Sequence, residues 1–208
     1  MKLKDMTVEV FTNTLASDAP APGGGSASAV AGAMGIALGQ MVAKLTVGKK
    51  KYAEFDEVNT KVIESAEDVI NDMIEGIDTD TDAFNLVTAA YAMPKDTDEA
   101  KAARSAAIQE ALKECARVPF ELILRCEKAL NIIMPMLGKF NTNAASDLGV
   151  AALNLKSAAL GAWLNVLINV GSIKDEKLAA DYKNRGQQAV DNICAMSDEI
   201  YNHVLGLM

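Results

Sequence analysis

The sequence predicts a single all-helical domain, a bundle of about six to eight helices, several of them long and antiparallel. Three observations carry that reading. Apolar residues recur at intervals of three and four along most of the 208 residues, the period of an amphipathic helix. Alternating apolar and polar runs of strand length do not occur. No linker, repeat or low-complexity tract divides residues 1–208, and a chain of this length can bury roughly 70% of the surface its unfolded form exposes.

A first short helix is expected from about Thr7 to Leu15, followed by the loop "ASDAPAPGGGS" with the consecutive Gly23, Gly24 and Gly25. The next helix runs from about Ser26 to Thr46. Its Gly32, Gly35 and Gly39 let another backbone or a ligand come close, which places it in the middle of the bundle. From Tyr52 to Ile77, the residues Phe55, Val58, Val62, Ala66, Val69, Met73 and Ile77 form one apolar stripe. "DTDTDAF" then reads as a turn, with Thr79 and Asp80 as caps of a short helix to about Tyr91 that stops at Met93-Pro94. A further helical pattern extends from about Thr97 to Leu137, and Pro119 is expected to kink or divide it. After the polar loop "GKFNTNAASDLG", Ser146 or Asp147 is expected to cap a Leu148–Val170 helix. "GSIKDEK" turns into a last helix whose stripe is Leu178, Tyr182, Ala189, Ile193, Met196, Ile200 and Val204.

Composition narrows the function classes. A net charge of -8 argues against a nucleic-acid or anionic-membrane partner, because both are bound through clustered positive charge. The segments Ala27–Leu45 and Leu148–Val170 approach the roughly 20 residues of a membrane span. They carry Gln40 and Lys44, and Asn154, Lys156, Asn165 and Asn169, a polar load costly in lipid, so both read as helices buried in protein. Cys115, Cys126 and Cys194 are odd in number and widely spaced. They suit neither a disulfide framework nor a zinc cluster, and point to a reducing cytoplasm. The start "MKLKDMTVEVF" lacks the apolar core of a signal peptide.

Few residues can carry chemistry. The lone histidine, His203, is expected near a frayed helix end, where it is poorly held as an acid or base. "APAPGGGS" offers N–H groups at a helix N-terminus, an anion site, but no strand precedes it and the GK[ST] of a nucleotide loop is missing. A helix cap at Ser26 and a ligand loop both remain open. Lys49, Lys50 and Lys51 form either a solvated corner or a site for a polyanionic tail such as a chain of glutamates. Asp78, Asp80 and Asp82 lack the glycine and distal glutamate of a calcium loop, so no metal is expected there. Asp80 fits a cap. Asp82, one turn into its helix, can face an interior cleft, which makes it the leading acid or base. Asn143, Ser146 and Asp147 gather at a helix start, where capping accounts for the last two. Asn154, Asn165 and Asn169 sit on an otherwise apolar helix and need partners, either another helix or a polar heterocycle.

Taken together and in order, "APAPGGGSASA", "MVAKLTVGKKKY", "DTDTDAF", "ARVPFEL" and "NAASDLGVAAL" through "GAWLNVLINV" resemble the cyclodeaminase/cyclohydrolase family. That family comprises the C-terminal half of formiminotransferase-cyclodeaminase and its stand-alone bacterial relatives. The resemblance covers nearly the whole chain, and no formiminotransferase half is present. Lys44 stands where the family would place asparagine before Leu-Thr.

The resemblance implies an all-helical homodimer with a folate site near the subunit interface. It implies formation of 5,10-methenyltetrahydrofolate from 5-formiminotetrahydrofolate with loss of ammonia, or hydrolysis of the methenyl compound to 10-formyltetrahydrofolate, or both. A folate-binding helical dimer without catalysis is the remaining alternative. Within the family reading, Asp82 is the expected general acid/base and Asp147 a second carboxylate that offsets cationic character. Gly23, Gly24, Gly25 and Ser26 would lie against the ligand, with Asn143, Ser146, Asn165 and Asn169 on its amide and pterin edges. Lys49, Lys50 and Lys51 would meet the polyglutamate tail. No cofactor beyond the tetrahydrofolate substrate is expected, because no electrons move.

Overall fold

Three of the six helices begin at a side-chain cap that takes up one of their first N–H groups. In the computed structural model, which describes all 208 residues, Thr7 caps α1 (Val8–Leu15) through its side-chain oxygen. Thr97 does the same for α4 (Asp98–Ile133), and Asp175 for α6 (Glu176–Leu205). The remaining helices are α2 (Gly24–Thr46), α3 (Asp56–Tyr91) and α5 (Ala145–Val170), with four short 3₁₀ segments and no strand.

Successive long helices run antiparallel. Ser26 of α2 meets Ile77 of α3, while Gln40, fourteen residues on, meets Ile63. Cys115 of α4 meets Asn169 of α5. Gly24 lies beside Asn165, Gly35 beside Leu155, and Thr46 beside Asn141, so α2 and α5 are antiparallel along their whole length. Gly35 marks their closest approach: a Cβ there would stand 2.8 Å from Leu155 Cγ and 3.0 Å from the Ala151 carbonyl oxygen. Core side chains from all five long helices, including Ile36, Met73, Ile123, Leu155 and Ile193, are fully buried in one cluster. Both α2 and α5 are long and apolar enough to cross a membrane, and here they form the centre of the bundle.

Several sequence expectations are corrected. "DTDTDAF" is not a turn: α3 continues unbroken to Tyr91. Thr79 bonds back to the Glu75 carbonyl of its own helix at 3.0 Å instead of capping a new one. The apolar stripe continues through Ile77, Ala83 and Ala90, all buried, and this packing outweighs the weak local preference of aspartate and threonine for a break. Pro119 does not divide α4, although a helix-interior proline costs ~3 kcal/mol. Its missing N–H orphans the Cys115 carbonyl, which accepts instead from Asn169 Nδ2 at 2.9 Å. The helix α5 starts at Ala145 without any side-chain cap, so neither Ser146 nor Asp147 plays that role. Tyr52 belongs to a 3₁₀ segment, Lys50–Phe55, ahead of α3. Finally, α2 starts at Gly24, and Ser26 does not cap it.

One face of the bundle stays apolar and open. On α2 it carries Met34, Met41 and Leu45, and on α5 it carries Val150, Leu153, Leu160, Leu164 and Ile168, all exposed. Their spacings of three, four and seven form a narrow seam on each helix, the pattern that packs against further helices.

Candidate active site

The N-terminus of α2 is an unusual helix start. Its first backbone bond runs from Ala27 N–H to the Gly23 carbonyl, and Gly23 has no side chain to cap with. The N–H groups of Gly24, Gly25 and Ser26 therefore lack helical partners, and they carry the partial positive charge of the helix end. The carboxylate of Asp80, on α3, lies against this turn. A Cβ on Gly25 would fall 2.0 Å from Asp80 Oδ1 and 2.5 Å from Oδ2, so only glycine admits the aspartate here. Ser26 is fully buried behind the pair and donates its hydroxyl to the Ile77 carbonyl at 2.8 Å, fixing α2 to α3.

Burial pushes the Asp80 carboxyl above the usual carboxylate range, and the Ser26 N–H pulls it part of the way back. A carboxyl raised by desolvation and open to a cleft is suited to proton transfer. The cleft has a volume of about 320 Å³, at the small end of ligand pockets. Gly23, Gly24 and Gly25 form one wall, Asp80 and Thr81 a second, and Asn165 and Asn169 a third. Phe84 and Ile168, both exposed, make an apolar rim. Cys115 also lines the cleft, but burial, helped by Asp80, pushes its thiol up to about 11. It is a neutral wall at pH 7, not a nucleophile.

The amides are anchored by helix carbonyls. Asn165 Nδ2 donates to Gly161 O at 2.9 Å, and Asn169 Nδ2 donates to Cys115 O and to Asn165 O at 2.9 and 2.8 Å. Neither Oδ1 accepts a hydrogen bond from the protein.

Other expected residues lie elsewhere. Asp82 is exposed and does not face the cleft. Two residues along a helix turn the side chain by about 200°, so Asp80 and Asp82 point to opposite sides of α3. Asp78 is held by the N-terminal segment, its Oδ1 accepting the Leu3 N–H at 2.7 Å. Asn143 and Ser146 are exposed and Asp147 half-buried at the start of α5, about 27 Å along the helix from Asn165 at 1.5 Å per residue. Lys49, Lys50 and Lys51 are exposed at this same far end, and none forms an ion pair with an acidic side chain. Within one chain, the triglycine, Asp80, Asn165 and Asn169 come together, whereas the lysines, Asn143, Ser146 and Asp147 gather at the opposite end. Lys44 also lies away from the cleft, donating to Gln40 Oε1 at 2.8 Å. His203 is not on a loose end: it is half-buried, 6.4 Å from Phe140 between ring centroids, with its Nε2 buried and unpartnered.

Sequence reasoning gave Asp80 to a helix cap and missed its place in the cleft. The signal was present in the helical period: once α3 is continuous, Asp80 shares a face with buried Met73, Ile77 and Ala83, and Asp82 does not.

Comparison with known proteins follows the same outline. Residues 7–188 match the family described as Formiminotransferase-cyclodeaminase. The methenyltetrahydrofolate cyclohydrolase of Methylorubrum extorquens is 40% identical over 198 residues, covering 95% of each chain. The formimidoyltransferase-cyclodeaminase of Gallus gallus is 32% identical over 171 residues, 82% of this chain but only 32% of that protein. The chain thus spans about a third of that longer relative. The crystal structure of formiminotetrahydrofolate cyclodeaminase from Thermotoga maritima superposes with a TM-score of 0.81 at 27% identity, covering 99% of this chain and 97% of the other.

Proposed function

The chain belongs to the formiminotransferase-cyclodeaminase family, and from that premise we propose that it transforms the one-carbon unit of tetrahydrofolate in the Asp80 cleft. The observation that carries this is the desolvated Asp80 carboxyl set against the uncapped, side-chain-free start of α2. A flat ring can lie against Gly23, Gly24 and Gly25, where no side chain intervenes, while Asn165 and Asn169 offer acceptor oxygens to its N–H edge.

The hydrolytic reading comes first. The cyclohydrolase of M. extorquens is the more similar of the relatives compared above and matches over nearly its whole length. In that reaction the ionised Asp80 removes a proton as water attacks the cationic methenyl carbon. The resulting tetrahedral centre then opens by breaking its bond to the pterin-side nitrogen, which gains a proton as the new hydroxyl gives one up, and leaves 10-formyltetrahydrofolate and one released proton. Asp80 also offsets the positive charge of the substrate. The cyclodeaminase reading is favoured by the superposition on the T. maritima enzyme. There the same carboxyl takes the proton of the p-aminobenzoyl nitrogen as it attacks the formimino carbon, and hands a proton to the departing ammonia. Neither route moves electrons, so neither calls for a redox cofactor.

A homodimer completes this reading. The exposed seams of α2 and α5 are suited to bury against a second copy, and a two-fold axis across their middle lays the lysine end of one copy over the aspartate end of the other. Lys49, Lys50 and Lys51 would then meet the glutamate tail of a polyglutamylated folate, with Asn143, Ser146 and Asp147 nearby. The free thiols suit the cytoplasm. Absorbance of methenyltetrahydrofolate tests the proposal, followed as it disappears by hydrolysis and as it forms from the formimino compound. Loss of the band at the uncatalysed rate, together with no formation, refutes catalysis and leaves a folate-binding dimer.

A further inference from the structure

We propose that Pro119 is a positioning residue for the cleft: by withholding a backbone N–H it gives the Cys115 carbonyl to Asn169, and so fixes Asn169 as a hydrogen-bond acceptor facing the ligand. This rests on the folate reading of the Asp80 cleft.

Proline is the most costly residue in a helix interior, because it lacks the donor and crowds the carbonyl four residues back. In α4 that carbonyl belongs to Cys115, a wall of the cleft. It is not left orphaned. Asn169 reaches from α5 and donates Nδ2 to Cys115 O at 2.9 Å, and the second N–H of the same amide goes to Asn165 O at 2.8 Å. Both partners are carbonyl oxygens, which only accept, so the amide cannot be flipped without losing two hydrogen bonds. Its Oδ1 is therefore held as an acceptor without a protein donor, on a residue that lines the cleft beside Asp80. The chemical group that fits is a ligand N–H, of the kind on the aminopyrimidine edge of a pterin. An alanine at position 119 would supply the missing helix N–H, compete for the Cys115 carbonyl, and leave the Asn169 amide held by the Asn165 carbonyl alone.

The test is Pro119→Ala, read for stability and function together. The variant is expected to melt at the same or a higher temperature, since alanine suits a helix interior better. Its KM for methenyltetrahydrofolate is expected to rise about three- to tenfold, the worth of one neutral hydrogen bond, with a smaller change in kcat. If Pro119 acts through Asn169, then Pro119→Ala adds little to the KM of Asn169→Ala; if it acts only as scaffold, the two effects multiply. An unchanged KM in the folded variant, or multiplying effects, overturns the proposal.

A readout without folate separates this inference from the functional one. The side-chain amide protons of Asn169, assigned by their loss in Asn169→Ala, are expected to exchange slowly in the wild type and quickly in Pro119→Ala. Fast exchange in the wild type overturns the positioning role even if the enzyme turns over and whether or not the variant folds. Slow exchange with no folate turnover refutes the proposed function instead.

Discussion

Gly24 and Gly25 are adjacent glycines at the start of α2, yet alanine at each should behave very differently. At Gly25 a methyl group would sit 2.0, 2.3 and 2.5 Å from the three atoms of the Asp80 carboxyl group. Carbon atoms do not approach oxygen much closer than about 3 Å, so the carboxylate must retreat by roughly 1 Å or more, a displacement that can cost about 10²-fold in rate. Overpacking costs about 1–3 kcal/mol, and replacing glycine by alanine in a helix returns up to ~1 kcal/mol, so Gly25→Ala is expected to lose about 0–3 kcal/mol of stability. At Gly24 the methyl would meet only Asn165 Nδ2, at 3.6 Å, an ordinary contact. Gly24→Ala should therefore keep wild-type stability or better and, with Asp80 undisturbed, a kcat within a few-fold, while its methyl on the ligand wall raises KM. The assay is kcat for methenyltetrahydrofolate hydrolysis beside urea denaturation of both variants. A folded Gly25→Ala with near-normal kcat would show that the placement of Asp80 does not matter to the chemistry, and the reasoning would fail.

Asp80→Asn should lower turnover by about a hundredfold or more, while Asp82→Asn, altered on the exposed side of α3, should change it less than about threefold; the reverse order would move the chemistry to Asp82. Because the folded-state pKa of Asp80 is raised, its ionisation costs stability, a cost absent below the ordinary carboxylate range and complete above the folded value, so Asp80→Asn should melt higher than wild type at neutral pH and lose that advantage in acid. Leu164, 68% exposed on the open face of α5, should hold the dimer: Leu164→Glu is expected to sediment as a monomer with activity reduced about tenfold or more, and a dimeric Leu164→Glu would move the interface elsewhere. Neutralising Lys49, Lys50 and Lys51 together should raise KM for polyglutamylated folate several-fold more than for the monoglutamate, and an equal rise for both would remove these lysines from tail binding.

The helical class, the order of the elements, the central place of α2 and α5 and the family were all legible in the residues. They follow from period, from glycine and alanine content, and from motifs in order, each a local property of the chain. The Thr97 start of α4 was legible for the same reason, since a cap acts within three residues. Which carboxylate enters the cleft was not. Asp78, Asp80 and Asp82 have nearly equal local surroundings, and only their rotation about a continuous α3 separates one held by Leu3, one in the cleft and one in water. Pro119 was read as a break because its cost is local, whereas the donor that relieves the Cys115 carbonyl comes from 54 residues away.

By itself, then, the sequence determined the helical class, the central pair of helices and the family. Tertiary structure alone decided which side chains meet, by laying α3 against the uncapped end of α2 and by separating the lysines from the glycines by the length of a helix. Side-chain identity and period act over a few residues, but desolvation, close approach and shared hydrogen bonds depend on distances that only packing sets.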